Sequence, residues 1–148
     1  MKEIKVLWDF VCSSFHSGRG WGRLILCVLF AVTTASAFSS GDFIYDINAP
    51  DTNTVTITEY TGPGGAVIIP STLDGKTVTD VGPYTFAYKD ALASVTIPDG
   101  VTGIGEYAFS DCLNLTSVTL PDSLTSIGAY AFYDCDILAS MSIPAGVT

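Results

Sequence analysis

The chain repeats itself with a period of 23 residues. Residues 92–98 (LASVTIP) recur as residues 115–121 (LTSVTLP), and residues 104–112 (IGEYAFSDC) recur as residues 127–135 (IGAYAFYDC). A further copy begins at residue 138 and stops at Thr148. A fixed period of this length predicts a solenoid, in which each unit buries its apolar side chains only against its neighbours.

Each unit combines a short strand with a return segment. From Leu92, the apolar residues Val95 and Ile97 follow at spacings of three and two, which predicts a strand with these side chains inside the coil. Pro98 ends that strand because it has no amide to donate to a ladder. Residues 106–110 are too few for a stable free helix, so we expect a single helical or 3₁₀ turn there. The predicted core consists of the recurring apolar and cysteine positions: Leu92, Val95, Ile97, Ile104, Phe109, Cys112, Leu115, Val118, Leu120, Ile127, Phe132 and Cys135.

The first 37 residues have the parts of a secretory signal peptide. A net basic stretch precedes an apolar run at residues 24–32, and small residues at 35–37 favour cleavage near Ala37. The apolar run has nine residues, whereas roughly 20 are needed to span a bilayer. We therefore expect a secreted or cell-surface protein whose mature chain has no membrane span. The competing interpretation is an uncleaved signal anchor.

The rest of the chain divides into a cap and the repeats. Residues 38–65 contain two alternating runs around a turn-rich segment, which predicts a β-hairpin cap followed by a joint. A hairpin here would cover the apolar end of the first unit. The repeats follow, with rungs near residues 66–91 (which carries a five-residue insertion), 92–114 and 115–137 and an incomplete rung at 138–148. Because that rung is incomplete and has no cap, we expect the chain to be a fragment of a longer protein.

Charge excludes several classes of partner. After residue 37 the chain has two lysines and thirteen acidic residues, a net charge of −11, with no Arg, His or Trp. Such a surface repels nucleic acid and anionic lipid, because phosphate binding needs a basic footprint. We therefore expect no nucleic-acid partner.

The residues after position 37 also argue against catalysis. Without His, and with its acids mainly in predicted bends, this part of the chain lacks the usual general bases and activated nucleophiles. Two cysteines are too few for a zinc site. Asp99 and Asp122 stack one period apart, as do Asp111 and Asp134; a calcium ion could relieve their repulsion, although aspartate also simply suits turns. We expect no enzymatic activity, no cofactor and no resident metal.

The units resemble the BspA-type leucine-rich repeats. That pattern runs Leu-x-x-Val-x-Ile-Pro, Val-Thr-x-Ile-Gly and Tyr-Ala-Phe-x-x-Cys; two full units follow it, with Leu120 in place of isoleucine in the second. The first unit departs from it at Thr85, at Lys89 and by its insertion. The resemblance covers about residues 66–148. It implies a secreted or surface-exposed leucine-rich-repeat solenoid, associated with adhesion and with binding other proteins, and it carries no catalytic residues.

The outward positions of the predicted strands carry small hydroxyl side chains. In a solenoid this face is the usual binding surface. It has no aromatic or arginine anchor of the kind that dominates interface energies. The candidate binding face consists of Ser94, Thr96, Ser117, Thr119, Ser140 and Ser142.

Two further columns arise from the period. Cys112 and Cys135 should lie on adjacent rungs, about 4.8 Å apart along the stack, and within reach of a disulfide. The pattern favours buried free thiols that act as small apolar groups. Tyr84, Tyr107 and Tyr130 form an aromatic column, either a stacking platform for sugars or, as in the family that the chain resembles, part of the scaffold.

The sequence thus predicts a capped repeat solenoid of short parallel strands. The main functional prediction is a leucine-rich-repeat module for protein binding or adhesion, whose partner is a protein or a surface glycan. The alternative is a structural spacer or cap that presents a downstream domain, such as an enzyme, beyond Thr148.

Overall fold

Residues 37–148 are described by a computed structural model and contain ten β-strands and no helix. Two sheets result: a larger one in the order β1-β2-β3-β6-β8-β10, with β5 paired to β6, and a smaller one in the order β4-β7-β9. The strands are β1 (Phe38–Ser40), β2 (Phe43–Ile47), β3 (Thr54–Tyr60), β4 (Gly65–Ile68), β5 (Thr72–Leu73), β6 (Lys76–Val81), β7 (Leu92–Thr96), β8 (Gly103–Ile104), β9 (Ser117–Thr119) and β10 (Ser126–Ile127).

Each turn of the coil, here called a rung, contributes a strand to both sheets. Val95 of β7 lies opposite Val118 of β9, and Ile104 of β8 lies opposite Ile127 of β10; both pairings are parallel. Equivalent positions therefore stack directly on one another, as a 23-residue period requires. The predicted repeat solenoid is confirmed, with about three turns marked by the three strands of the smaller sheet.

The predicted helical or 3₁₀ turn at residues 106–110 is wrong. Tyr107 has a φ of 53°, in the left-handed region, so a right-handed helical turn cannot include it. The amides of Tyr107 and Phe109 donate to the carbonyls of Ala129 and Ala131, one rung further on, at 3.1 and 2.8 Å. Because these amides bond between rungs, they are not available for a helical ladder.

The N-terminal segment continues the larger sheet. β2 and β3 pair in antiparallel fashion, and β1, which the sequence did not predict, adds to β2. β3 then pairs in parallel with β6, with Val55 opposite Val78. Val55 and Ile57 are fully buried, and the ring of Tyr60 stacks on Phe86 with centroids 5.0 Å apart. The segment therefore covers the apolar end of the first rung.

The core lies between the two sheets and loosens toward the last rung. The rings of Phe86 and Phe109 are fully buried, whereas Phe132 is only partly buried against them. Of the predicted core, Leu120, Ile127, Phe132 and Cys135 are partly buried; the buried members are Leu92, Val95, Ile97, Ile104, Phe109, Cys112, Leu115 and Val118.

The predicted signal peptide lies outside the described residues, apart from Ala37 at its end. From residue 37 onward, no helix has the length and hydrophobicity to cross a membrane.

Candidate binding face

The smaller sheet turns one face to the core and the other to solvent. Val95 and Val118 are buried and lie opposite each other. Because side chains alternate along a strand, the residues that flank these valines point away from the core. The register pairs each flanking residue with its equivalent on the next strand, so the hydroxyl groups form two columns. We call these four residues the hydroxyl face. Ser94 pairs with Ser117, and Thr96 pairs with Thr119. Ser94 is half-buried, and the other three residues are exposed.

Three threonine hydroxyl groups elsewhere in the coil form hydrogen bonds to its backbone. Thr102 Oγ1 donates to the carbonyl of Thr79 at 3.3 Å, and Thr125 Oγ1 donates to the carbonyl of Thr102 at 3.0 Å. Thr116 Oγ1 donates to the carbonyl of Ala93 at 2.9 Å. These bonds tie each rung to the one before it. In the part of the chain that the structure describes, no side-chain hydrogen bond uses the hydroxyl face, so its donors and acceptors are left for solvent or a ligand.

Ile68 adds an apolar side chain to the same face. It pairs with Thr96 across β4 and β7, and 74% of it is exposed. Sequence reasoning missed this position because the insertion takes the first unit off the 23-residue period. The usable signal was Pro70, which aligns with Pro98 once the insertion is removed and so places Ile68 at the position of Thr96.

Ser140 and Ser142 are exposed but are not brought together with the hydroxyl face. No strand forms at residues 138–148. The return segment still follows the earlier rungs: Val147 donates to Pro144 at 3.2 Å, as Leu124 does to Pro121, and Thr148 donates to Thr125 at 3.1 Å. The two columns therefore end at β9.

Cys112 and Cys135, the cysteines within residues 37–148, are free thiols. Each Sγ donates to a phenylalanine carbonyl of the preceding rung: Cys112 to Phe86 and Cys135 to Phe109, both at 3.1 Å. Burial raises the pKa of the Cys112 thiol to about 11, and it raises the pKa of Cys135 as well. Since the thiolate is the reactive form, the arrangement gives these thiols a packing role rather than a chemical one.

The tyrosine column is a closed stack. The ring centroids of Tyr84 and Tyr107 are 5.3 Å apart and nearly parallel, and those of Tyr107 and Tyr130 are 5.0 Å apart. Both faces of the central ring are therefore covered by other tyrosines, whereas a sugar platform needs an open ring face. The geometry favours a scaffold role for this column.

An acidic side chain fastens the N-terminal segment to the first rung. Asp74, between β5 and β6, accepts hydrogen bonds from the Tyr45 hydroxyl at 2.7 Å and from Ser40 Oγ at 2.9 Å. The bond from Tyr45, more than the one from Ser40, lowers the pKa of the Asp74 carboxyl, and the same contact raises the pKa of Tyr45. Across residues 37–148, no group of three or more His, Cys, Asp or Glu side chains has the arrangement of a metal site.

A parallel coil with a 23-residue period and one exposed sheet face defines the class of leucine-rich-repeat proteins. Residues 75–148 match the family described as BspA type leucine-rich repeat region. The chain belongs to this family. Comparison with curated proteins found no match.

Solved structures that are similar to this chain are also leucine-rich-repeat proteins. A leucine-rich repeat protein of T. pallidum is 35% identical with a TM-score of 0.70, over 75% of this chain and 51% of its own. One from Bacteroides capillosus is 32% identical with a TM-score of 0.69, over 76% of this chain and 85% of its own. A leucine-rich cell surface protein of Faecalibacterium prausnitzii is 38% identical with a TM-score of 0.62, over 68% of this chain and 28% of its own. None of the three is described as an enzyme, and the family and fold indicate a repeat module for protein binding.

Proposed function

We propose that the chain is a secreted or cell-surface module that binds a partner protein through the hydroxyl face. The observation that carries the proposal is the pair of in-register hydroxyl columns, which the fold aligns but does not use in its own hydrogen bonds. Thr102, Thr116 and Thr125, by contrast, use their hydroxyls in hydrogen bonds to the preceding rung. The exposed columns are thus the part of the repeat left for recognition.

The chemistry of the face sets the kind of binding. Each hydroxyl can donate and accept, and successive hydroxyls in a column lie about 4.8 Å apart, the spacing of paired strands. A polar protein surface can match such a grid. Because the face lacks the tryptophan, tyrosine and arginine anchors that supply most interface energy, each array binds weakly. Strong adhesion would then come from many copies acting together.

The location outside the cell rests on two supports. One is the predicted signal peptide at residues 1–37, and the other is the similar protein of F. prausnitzii, which is a cell surface protein. N-terminal sequencing of the protein recovered from the culture medium or cell surface should begin near Phe38. Recovery of the intact chain from the cytoplasm alone would count against secretion.

Partner binding can be tested with a matched pair of substitutions. Partner proteins are first captured with the full chain, and surface plasmon resonance then measures their affinity for the wild type and for two variants. Thr119→Lys lies on the hydroxyl face, and Thr77→Lys lies at an exposed position of β6 on the other sheet. We expect Thr119→Lys to lower the affinity for a genuine partner by about tenfold, which corresponds to about 1.4 kcal/mol. Thr77→Lys should leave that affinity nearly unchanged. Equal effects of the two would remove the hydroxyl face as the site.

A structural spacer is the second candidate. Its support is length, since the chain spans only 28% of the F. prausnitzii protein and 51% of the T. pallidum protein. A spacer predicts that the full chain captures no partner at all under conditions in which a surface-displayed longer protein still adheres.

A further inference from the structure

The cap covers the end of only one of the two sheets. β1, β2 and β3 extend the larger sheet beyond β6, so its first-rung strand has a neighbour. The smaller sheet begins at β4, which pairs with β7 on one side and with no strand of residues 37–148 on the other. Within residues 37–148, one long side of β4 is therefore an open sheet edge.

The register identifies the groups on this edge. Val67 lies opposite Val95, and the amide of Ile69 donates to the carbonyl of Thr96 in β7 at 3.0 Å. Along a parallel strand the N–H and C=O of alternate residues point to the same neighbour. Val67 and Ile69 thus face β7, and Ala66 and Ile68 direct their N–H and C=O groups to the open side.

The side chains on this edge make it receptive to another strand. Ala66 and Ile68 are both exposed, and no residue from 60 to 73 carries a charge. An open, uncharged strand edge is a template for the backbone of a further strand. Pro63 and Pro70 flank β4 and restrict the pairing to its four residues.

The charge of the chain indicates which kind of peptide could pair with β4. Residues 37–75 contain no lysine or arginine and five acidic residues: Asp42, Asp46, Asp51, Glu59 and Asp74. Of the two lysines after residue 37, Lys76 donates through Nζ to the carbonyl of Thr52 at 2.6 Å, and Lys89 is half-buried. From residue 37 onward the chain has a net charge of −11, so it would repel a second copy of itself, whereas it would attract a basic peptide.

We propose that the open edge of β4 binds an extended peptide rich in lysine or arginine by β-strand addition. The peptide backbone bonds to the N–H and C=O groups of Ala66 and Ile68, and one of its apolar side chains packs on Ile68. The inference rests on the proposed function and names the class of partner segment, one that continues the smaller sheet beside the hydroxyl face.

The test uses the full chain and a synthetic probe, acetyl-Lys-Thr-Val-Thr-Val-Thr-Lys-amide, with binding measured by isothermal titration calorimetry. A control peptide of the same sequence carries N-methyl groups on alternate amides, which removes donors and leaves the charge unchanged. The protein variants are Ile68→Lys at the edge and Ile137→Lys as its match, since Ile137 is also exposed, at 48%, on a different turn.

We expect the probe to bind, with Kd rising about tenfold or more for the N-methylated peptide and for Ile68→Lys, and by less than about twofold for Ile137→Lys. No binding of the probe, or equal affinity for the two peptides or for the two variants, overturns the proposal. Concentration-dependent dimers of the wild-type chain that Ile68→Lys abolishes would also overturn it, because the occupant would then be a second copy. If Thr119→Lys weakens partner binding while the probe fails to bind, the edge is refuted and the hydroxyl face stands. If the probe binds at the edge while Thr119→Lys leaves partner binding unchanged, only the hydroxyl face is refuted.

Discussion

The substitution Gly105→Ala tests how closely the rungs are stacked. A Cβ atom on Gly105 would lie 2.6 Å from the carbonyl carbon of Gly82, one rung earlier, and closer still to the nitrogen of Pro83. These are backbone atoms, which cannot turn aside as a side chain can. Gly128 meets the carbonyl carbon of Gly105 at the same 2.6 Å, so the contact repeats with the period. Alanine at either position must push two rungs apart.

The cost follows from what this separation would break. Reaching an ordinary contact of 3.4 Å from the Gly82 carbonyl carbon requires a shift of at least about 0.8 Å. That shift would stretch the bond from Gly105 N to Val81 O (2.7 Å) and the bond from Tyr84 N to Glu106 O (3.1 Å) to or beyond hydrogen-bonding range. Each bond contributes about 1 kcal/mol, and the stack of Tyr84 on Tyr107 contributes about 0.5–1.5 kcal/mol more. We expect the free energy of unfolding to fall by about 3 kcal/mol.

Urea unfolding of the full chain, followed by circular dichroism, measures this loss. Gly41→Ala serves as the control, because Gly41 has a φ of 60° and no atom within 4 Å of the added methyl group. Its cost is the left-handed strain alone, about 1–2 kcal/mol. If Gly105→Ala loses no more stability than Gly41→Ala, the argument from close stacking is wrong.

Three further results are expected. Phe109→Ala should lower the free energy of unfolding by about 3–5 kcal/mol and Phe132→Ala by clearly less, because Phe132 is only partly buried; equal losses in urea unfolding would contradict this. Asp74→Asn should destabilise the protein at pH 7 but not in strong acid. The folded pKa of Asp74 is lowered, so its contribution is present above the unfolded value of about 3.9 and disappears as the pH falls through the folded value; a pH-independent difference in urea midpoint would refute it. Iodoacetamide at pH 8, with labelled peptides mapped by mass spectrometry, should modify Cys112 in urea but not in the native protein; equal rates would show that its thiol is accessible.

The period made the coil predictable, because a 23-residue repeat fixes both the stacking register and the positions that face inward. Local turn geometry was not predictable in the same way. Tyr84, Tyr107 and Tyr130 all have positive φ values, which tyrosine by itself does not favour. The amides of Tyr84 and Tyr107 bond to carbonyls of the next rung, a tertiary pairing that no local pattern reveals. The strands β8 and β10 have two residues each, too few for alternation to show.

The candidate site was likewise predictable only where it follows the 23-residue period. The hydroxyl columns could be predicted because Ser94 and Thr96 recur one period later, and recurrence alone aligns them. Ile68 was hidden by the insertion in its unit. The role of Gly105 was not visible in the sequence: its φ is not positive, and the neighbouring backbone is what excludes a side chain there.

The hydrogen bonds between rungs join residues one period apart, as from Thr116 to Ala93 and from Thr125 to Thr102. A whole unit added within such a coil would meet the same carbonyls above and the same amides below as the units already there. Duplication of one unit therefore requires no adjustment of the others. A lineage can lengthen its hydroxyl face by two hydroxyls at a time, and the length of the coil can evolve separately from its stability per rung.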